Sequence, residues 1–314
     1  MAVFALSCVC VFSVMLAASE WLVRVHAQPA DAMTKHVALF ETTQSPYVAF
    51  GDSHVARSFD AQAPVVNLGY PSENIAKIAW KAERYLDRTP SPETVLIQAD
   101  PHLFAPYRTR TGLEGYSALF NGDASARLLS VSEYYRPQLT ALWRAFVTHG
   151  GRLESTVETT EQGALLSPGN LAEWGEQKIR KFTADRLELH QPHPGFQQSR
   201  AAQQYKSMIA AFLDRGVSVC LVSMPVSPYY KNAVDALPAE QKTGWDEAFA
   251  FFEALAQEDR VRYFDHRNLY TNLRLFRDPD HLNKAGAIEY GPVLQDACFG
   301  NVKRSDGAQI ADLK

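Results

Sequence analysis

The sequence is short of the features that would reveal its chemistry at a glance. It has four cysteines in 314 residues, too few for a disulfide framework. It has no C-x-x-C or H-E-x-x-H pattern, which removes the common zinc signatures. Cys8 and Cys10 fall in an apolar N-terminal run, leaving Cys220 and Cys298 for the folded part. Cys220, inside the strand-like run VSVCLVSM, reads as a buried free thiol; a pair with Cys298 stays open if the chain is exported. There is no basic run, and a formal net charge of −4 gives no reason to expect nucleic acid. No period repeats and no segment is low in complexity, so solenoid and disordered classes drop out. The hydrophobic content of 46% and charged content of 21% are those of an ordinary globular protein. The length allows one large α/β domain with insertions, or two small domains.

What is present begins with residues Ala2 to Ala18, AVFALSCVCVFSVMLAA, followed after Ser19 and Glu20 by WLV. That length suits a signal anchor or a signal peptide over 1–27. No basic residue precedes the run, whereas Arg24 and Lys35 follow it, which favours an anchor over a cleaved signal. It also weakly favours the reverse of the usual positive-inside orientation. A polar linker is expected over 28–45.

From there short apolar runs alternate with amphipathic stretches. Strands are expected at 47–50, 64–68, 94–98, 217–224 and 261–265. A helix over Glu73 to Leu86 shows apolar Ile75, Ile78, Ala79, Ala82 and Leu86 at helical spacing, with Ser72 as its N-cap. Further helices are expected near Gln197 to Asp214, closed by Gly216, near Lys242 to Ala256, and from Lys284 towards Cys298. Residues 107–194 break the rhythm and read as a largely helical insertion or cap. They divide a core of 46–106 and 195–300, and 301–314 is a tail. Alternating strands and helices imply a parallel-sheet, three-layer α/β/α sandwich, in which ligands collect at the carboxyl ends of the strands.

Two polar blocks fall at those ends. Gly51-Asp52-Ser53-His54 follows the first strand, where a serine at a strand-to-helix turn can point its hydroxyl into a cleft. Asp278-Pro-Asp-His281-Leu-Asn283 precedes the last helix. A serine needs a base, and a histidine base needs a carboxylate to fix its tautomer. Asp278 is preferred over Asp280, since adjacent side chains diverge.

The two blocks, in this order and placement, resemble the SGNH (GDSL-like) hydrolase superfamily, with its serine block after the first strand and its Asp-x-x-His block before the last helix. The resemblance runs from about Tyr47 to Leu294, excluding the insertion. It implies a flavodoxin-like fold and a triad of Ser53, Asp278 and His281, with no cofactor and no metal. It also implies an oxyanion hole of the Ser53 amide, a glycine amide at Gly69, and an asparagine after the third strand. Here the chain departs: Gln98-Ala99-Asp100-Pro101-His102 stands in place of G-x-N-D, so Asp100 occupies the asparagine position. Either Asp100 is displaced or protonated, or Asn67, Asn74 or His102 supplies the donor, or two amides remain. Asp52 is expected to orient the serine loop, and His54 to line the site or lie at the surface.

Tyr229 and Tyr230, after the fourth strand, could contact a sugar or acyl group, as could Asn74 and His102. Arg108 and Arg110 read as solvated charge, and His190 and His193 as loop residues. Tyr134, Tyr135, Trp143 and Trp174 would suit carbohydrate stacking but read more readily as core. The apolar N-terminus, the insertion and the missing G-x-N-D are similar to anchored bacterial SGNH-like proteins that modify cell-surface polysaccharides. The expected substrate is an acylated carbohydrate or another ester, the expected place extracytoplasmic (periplasmic), and a membrane-bound acyl donor protein a fitting partner. An esterase or deacetylase, and a non-catalytic glycan-binding scaffold, are the alternatives.

Overall fold

The computed structural model describes residues 2–27, 31–89, 92–109, 112–123 and 157–300, with isolated positions at 128, 132, 134–136 and 148. Its elements in chain order begin with helix α1 (Ala2–Leu22), α2 (Ala32–Thr42), strand β1 (Tyr47–Phe50), α3 (Ser53–Ser58), β2 (Val65–Asn67), α4 (Ile75–Arg88), β3 (Thr94–Gln98) and α5 (Glu114–Asn121). The short strands β4 (Glu158–Thr159) and β5 (Leu165–Leu166) pair with each other and precede α6 (Glu176–His190) and α7 (Arg200–Asp214). Then come β6 (Ser218–Ser223), α8 (Pro228–Asp235), α9 (Ala239–Leu255), β7 (Val261–Asp265), the β8 (Phe276–Asp278) and β9 (His281–Leu282) hairpin, and α10 (Lys284–Phe299).

The main sheet is wholly parallel, in the order β2-β1-β3-β6-β7. Its inner strands read VAF, VLIQ and VCLVS, almost entirely buried. Such continuous apolar runs are what a sheet covered on both faces requires. Because successive side chains point to opposite faces, Val48, Phe50, Val95, Ile97, Val219 and Leu221 face one core with α2, α4, α7 and α9. Ala49, Leu96, Cys220 and Val222 face the other, with Val55 of α3 and Tyr290 and Leu294 of α10. The chain reverses direction across the sheet between β1 and β3, the switch point at which a cleft opens. This is the expected three-layer α/β/α sandwich.

Several local expectations are corrected. The linker at 28–45 instead carries α2, capped by the Asp31 side chain on Thr34 N at 2.8 Å and anchored by buried Met33, His36 and Phe40. The signal is the helical spacing of Met33, Val37 and Phe40. α4 is capped by Asn74, not Ser72; Ser72 adopts a left-handed φ of 65° in the preceding turn. Lys81, on the apolar face of α4, is fully buried because its ammonium donates to both Glu73 oxygens at 2.7 Å, to Leu68 O, and lies 3.1 Å from His36 Nε2. Pairing is the condition on which such a charge can be buried. Cys220 is not free: it is disulfide-bonded to Cys298, pinning α10 to β6. Trp143 and Arg110 lie outside the described residues.

α1 stands apart from both cores. The segment Val3–Val25 is long and apolar enough to cross a membrane, with mean hydropathy 2.0, and is exposed over most of its length, Val23 near its end being buried. A signal anchor and a signal peptide both meet that description.

The disulfide closes a loop of 78 residues, so its loss should destabilise the fold by about 2–4 kcal/mol. Thermal unfolding of Cys298→Ser, and of the wild type with and without reductant, should show the same downward shift. A wild type indifferent to reductant would count against the bond.

Candidate active site

The β1-to-α3 turn is built for close approach. A Cβ at Gly51 would lie 2.3 Å from Val55 and 2.6 Å from Gln98 Oε1, so only glycine fits. Asp52 follows, fully buried, and its side chain caps α3 by accepting from His54 N at 2.9 Å. Its own amide donates to Gln98 Oε1 at 2.6 Å, while Gln98 Nε2 donates to Asp100 Oδ2 at 2.8 Å. One glutamine thus ties the ends of β1 and β3 together at the switch point. Asp52 also holds His102 Nε2 at 2.8 Å and the Arg108 guanidinium. Burial alone would raise the Asp52 carboxyl, but Arg108 and then His102 outweigh it and hold it well below the usual range. Arg108, expected in solvent, is therefore a buried counter-ion.

Ser53 is the first residue of α3, where an amide has no intrahelical carbonyl to bind. Its Oγ lies 3.0 Å from His281 Nε2, and His281 Nδ1 lies 2.9 Å from Asp278 Oδ1. The β8–β9 hairpin sets the second contact by pairing Asp278 with His281 across a tight turn. Asn283 then caps α10 and ties the hairpin to Arg274 O and Gly169 O, each at 2.7 Å. Asp280 is farther from His281 Nδ1, at 3.5 Å, and turns towards His54.

His54 is the feature whose weight the sequence did not disclose. It is buried beside Ser53, 3.0 Å from Asp100 Oδ2 through Nδ1 and 3.6 Å from Asp280 Oδ2 through Nε2. Both contacts fall outside strict hydrogen-bond geometry but within ion-pair distance. Burial would lower its pKa, but Asp100 and then Asp280 raise it to about 10, making it an imidazolium between two carboxylates. Asp280 is likewise held well below the usual range against its burial, by His281, the His54 imidazolium and Arg186. His102 and His190 stack at 4.7 Å and are pushed down by burial, the neutral members of the cluster. His190, expected in a loop, is the buried last residue of α6 and bonds Tyr230 Oη at 2.9 Å.

These side chains border a cleft of about 370 Å³ reached by Ser53, His54, His281, Tyr107 and several arginines. α6 supplies one wall with Arg186, Leu189 and His190, and packs on α8.

The remaining expected residues fall elsewhere. The Gly69 amide is engaged, donating to Asn67 Oδ1 at 3.0 Å, and Asn67 Nδ2 donates to Val55 O. Asp100 sits behind His54, accepting also from Met224 N at 3.0 Å. Asn74 caps α4 and donates to Arg108 O, and His102 serves Asp52. None of Asn67, Asn74 or His102 is turned to the serine hydroxyl. Tyr230 is buried behind His190, and Tyr229 lines a separate groove with Leu187 and Ala233. Tyr135 is buried against Val23, with Tyr134 on its edge.

By residue type a divalent cation could engage His54, Asp100 and His102, or His54, Asp280 and His281. The sets share His54. Filling the second set would engage His281, the histidine that links Ser53 to Asp278.

No known family and no curated protein matches this chain. Solved structures do align, among them a Streptococcus pneumonia protein assigned provisionally as a platelet activating factor. It is 14% identical, covering 91% of this chain and 98% of that one, with a TM-score of 0.39. That likeness is too low to bear on activity.

A histidine whose pKa is raised in the folded state contributes stability that is complete below its unfolded value, near 6.5, and lost as pH rises towards about 10. The slope is on the order of 1.4 kcal/mol per pH unit. Thermal unfolding of the full chain in detergent at pH 7, 8 and 9 should therefore show a declining Tm. His54→Asn should be less stable at pH 7 but should decline less steeply. Parallel curves for the two proteins would show that His54 is neutral.

Proposed function

We propose that the chain is a serine-dependent acyl-transferring enzyme of the SGNH kind, working through an acyl-enzyme on Ser53. The carrying observation is the continuous contact from Ser53 Oγ through His281 to Asp278, at 3.0 and 2.9 Å. His281 Nε2 takes the hydroxyl proton as Oγ attacks an ester carbonyl, and Asp278 stabilises the imidazolium that forms. The tetrahedral intermediate collapses, the proton passes to the leaving alkoxide, and the acyl group stays on Oγ. An acceptor hydroxyl, deprotonated by the same imidazole, then attacks the acyl-enzyme and restores Ser53. The Ser53 amide is the oxyanion donor best supported by its position; the Gly69 amide would first have to leave Asn67.

The acceptor we favour is a hydroxyl of a cell-surface or exported polysaccharide. An apolar helix that could anchor the chain supports this reading. So does a disulfide of the kind that persists in oxidising compartments outside the cytoplasm. Water as acceptor would make the protein an esterase or deacetylase. A non-catalytic glycan-binding or acyl-partner scaffold draws support from Asp100 in the asparagine position and from the engaged Gly69 amide.

A fluorophosphonate probe should label the wild type. Ser53→Ala should abolish labelling, and His281→Ala should slow it by about 10²–10⁴-fold. Asp278→Asn should slow it more than Asp280→Asn. A folded wild type that refuses the probe would favour the scaffold. Acetyl release from an activated ester that rises with added oligosaccharide would support transfer, and release indifferent to it would support hydrolysis.

A further inference from the structure

The cleft beside Ser53 holds positive charge that the acyl-transfer steps do not use. In a chain of net charge −4, Arg57, Arg108, Arg186 and Arg277 all border this one cleft. Their partners differ in ways that matter. Arg108 is neutralised by Asp52. Arg186 faces Asp280 at 3.5 Å, a carboxylate it shares with His54 and His281. Arg277 reaches Asp278 only at 3.6 Å, and the closer partner of that carboxylate is His281 at 2.9 Å. Arg57 has no carboxylate within 4.0 Å among the described residues.

Arg57 stands four residues after Ser53 on α3, and so on the same helical face. Its Nη1 donates to Ser167 Oγ, the hydroxyl that Arg277 Nη1 also approaches at 3.5 Å. Two guanidiniums therefore converge on one neutral acceptor, which offers no charge to either. The cost is visible at Arg57, whose pKa is lowered to about 10 by burial and then by Arg277. Each fork keeps further N–H donors for a ligand. A pair of under-neutralised guanidiniums next to a nucleophile suits an oxyanion, because charge-assisted, forked hydrogen bonds would relieve their repulsion.

We infer that Arg57 and Arg277 bind an anionic group (a carboxylate, phosphate or sulfate) carried by the ester whose carbonyl reaches Ser53. This rests on the acyl-enzyme reading above and adds what the substrate must carry. The two arginines act as specificity residues: they hold the charged part of the ester and so deliver its carbonyl to the serine.

The test uses the full chain in detergent. In the kinetic arm, 4-acetoxybenzoate is compared with neutral 4-acetoxybenzamide, placing the charge on the alcohol side. 4-Nitrophenyl hydrogen succinate is compared with 4-nitrophenyl butyrate, placing it on the acyl side. We expect kcat/KM to favour the anionic member of at least one pair by about tenfold, equivalent to about 1.4 kcal/mol. That ratio should collapse towards one in Arg57→Gln and in Arg277→Gln. No preference in the wild type, or one untouched in both variants, overturns the inference. An equal loss on charged and neutral esters also overturns it, since the guanidiniums would then serve the carbonyl oxygen.

A binding arm is independent of turnover. Ser53→Ala titrated by calorimetry should bind 4-acetoxybenzoate more tightly than the amide, with the difference reduced by salt and abolished by adding Arg57→Gln. Phenyl phosphate and phenyl sulfate as competitors rank the three anions. Equal affinities refute the anion site even in an active enzyme. A carboxylate preference in a chain that turns over no ester keeps the anion site and removes the acyl-enzyme.

Discussion

Asp52 is a fully buried carboxylate between the end of β1 and Ser53, and the arrangement of the cleft depends on its staying charged. Its backbone is held by Gln98, and its side chain caps α3 and anchors both His102 and Arg108. Burying a carboxylate is expensive unless it is paired and hydrogen-bonded. Three donors here meet that condition, and each comes from a different segment. The end of β1, the loop after β3 and the start of the insertion are thereby brought to one point, and Ser53 is fixed next to it.

A second layer follows the same logic with the signs exchanged. The His54 imidazolium lies between Asp100 and Asp280, 3.0 Å from the one and 3.6 Å from the other. Asp100 is the counter-ion of His54 and is turned away from the serine hydroxyl. Buried ion networks of this kind contribute little net stability beyond what an apolar core would supply, because desolvation offsets the Coulombic gain. What this network provides is geometry: Asp280 is drawn towards His54, leaving Asp278 as the nearer partner of His281.

On the outer side of the cleft the balance is different. Arg57 and Arg277 share the Ser167 hydroxyl, and the one carboxylate near Arg277, Asp278, is engaged more closely by His281. Charges are compensated under the serine and left over where a substrate would lie, which separates the part of the site that orients the protein's own groups from the part that would select a ligand.

Much of this was legible before any coordinates. The βα rhythm, the continuous apolar runs of β1, β3 and β6, and the polar blocks at Ser53 and at Asp278–His281 are local patterns. Periodicity and turn chemistry report local patterns directly. Helix α2 was obscured because its main apolar run, residues 37–40, is too short to show helical periodicity by itself, and the burial of Lys81 because it depends on Glu73 and Leu68. Three facts depended on residues distant in sequence meeting in space: that Cys220 meets Cys298, that Gly69 spends its amide on Asn67, and that Asp100, His54 and Asp280 form one charged row. A side chain's charge state and its partner are set by what folds against it. The chain order therefore singled out the polar blocks, and only the packed fold decided which of their side chains face one another and which face the cleft.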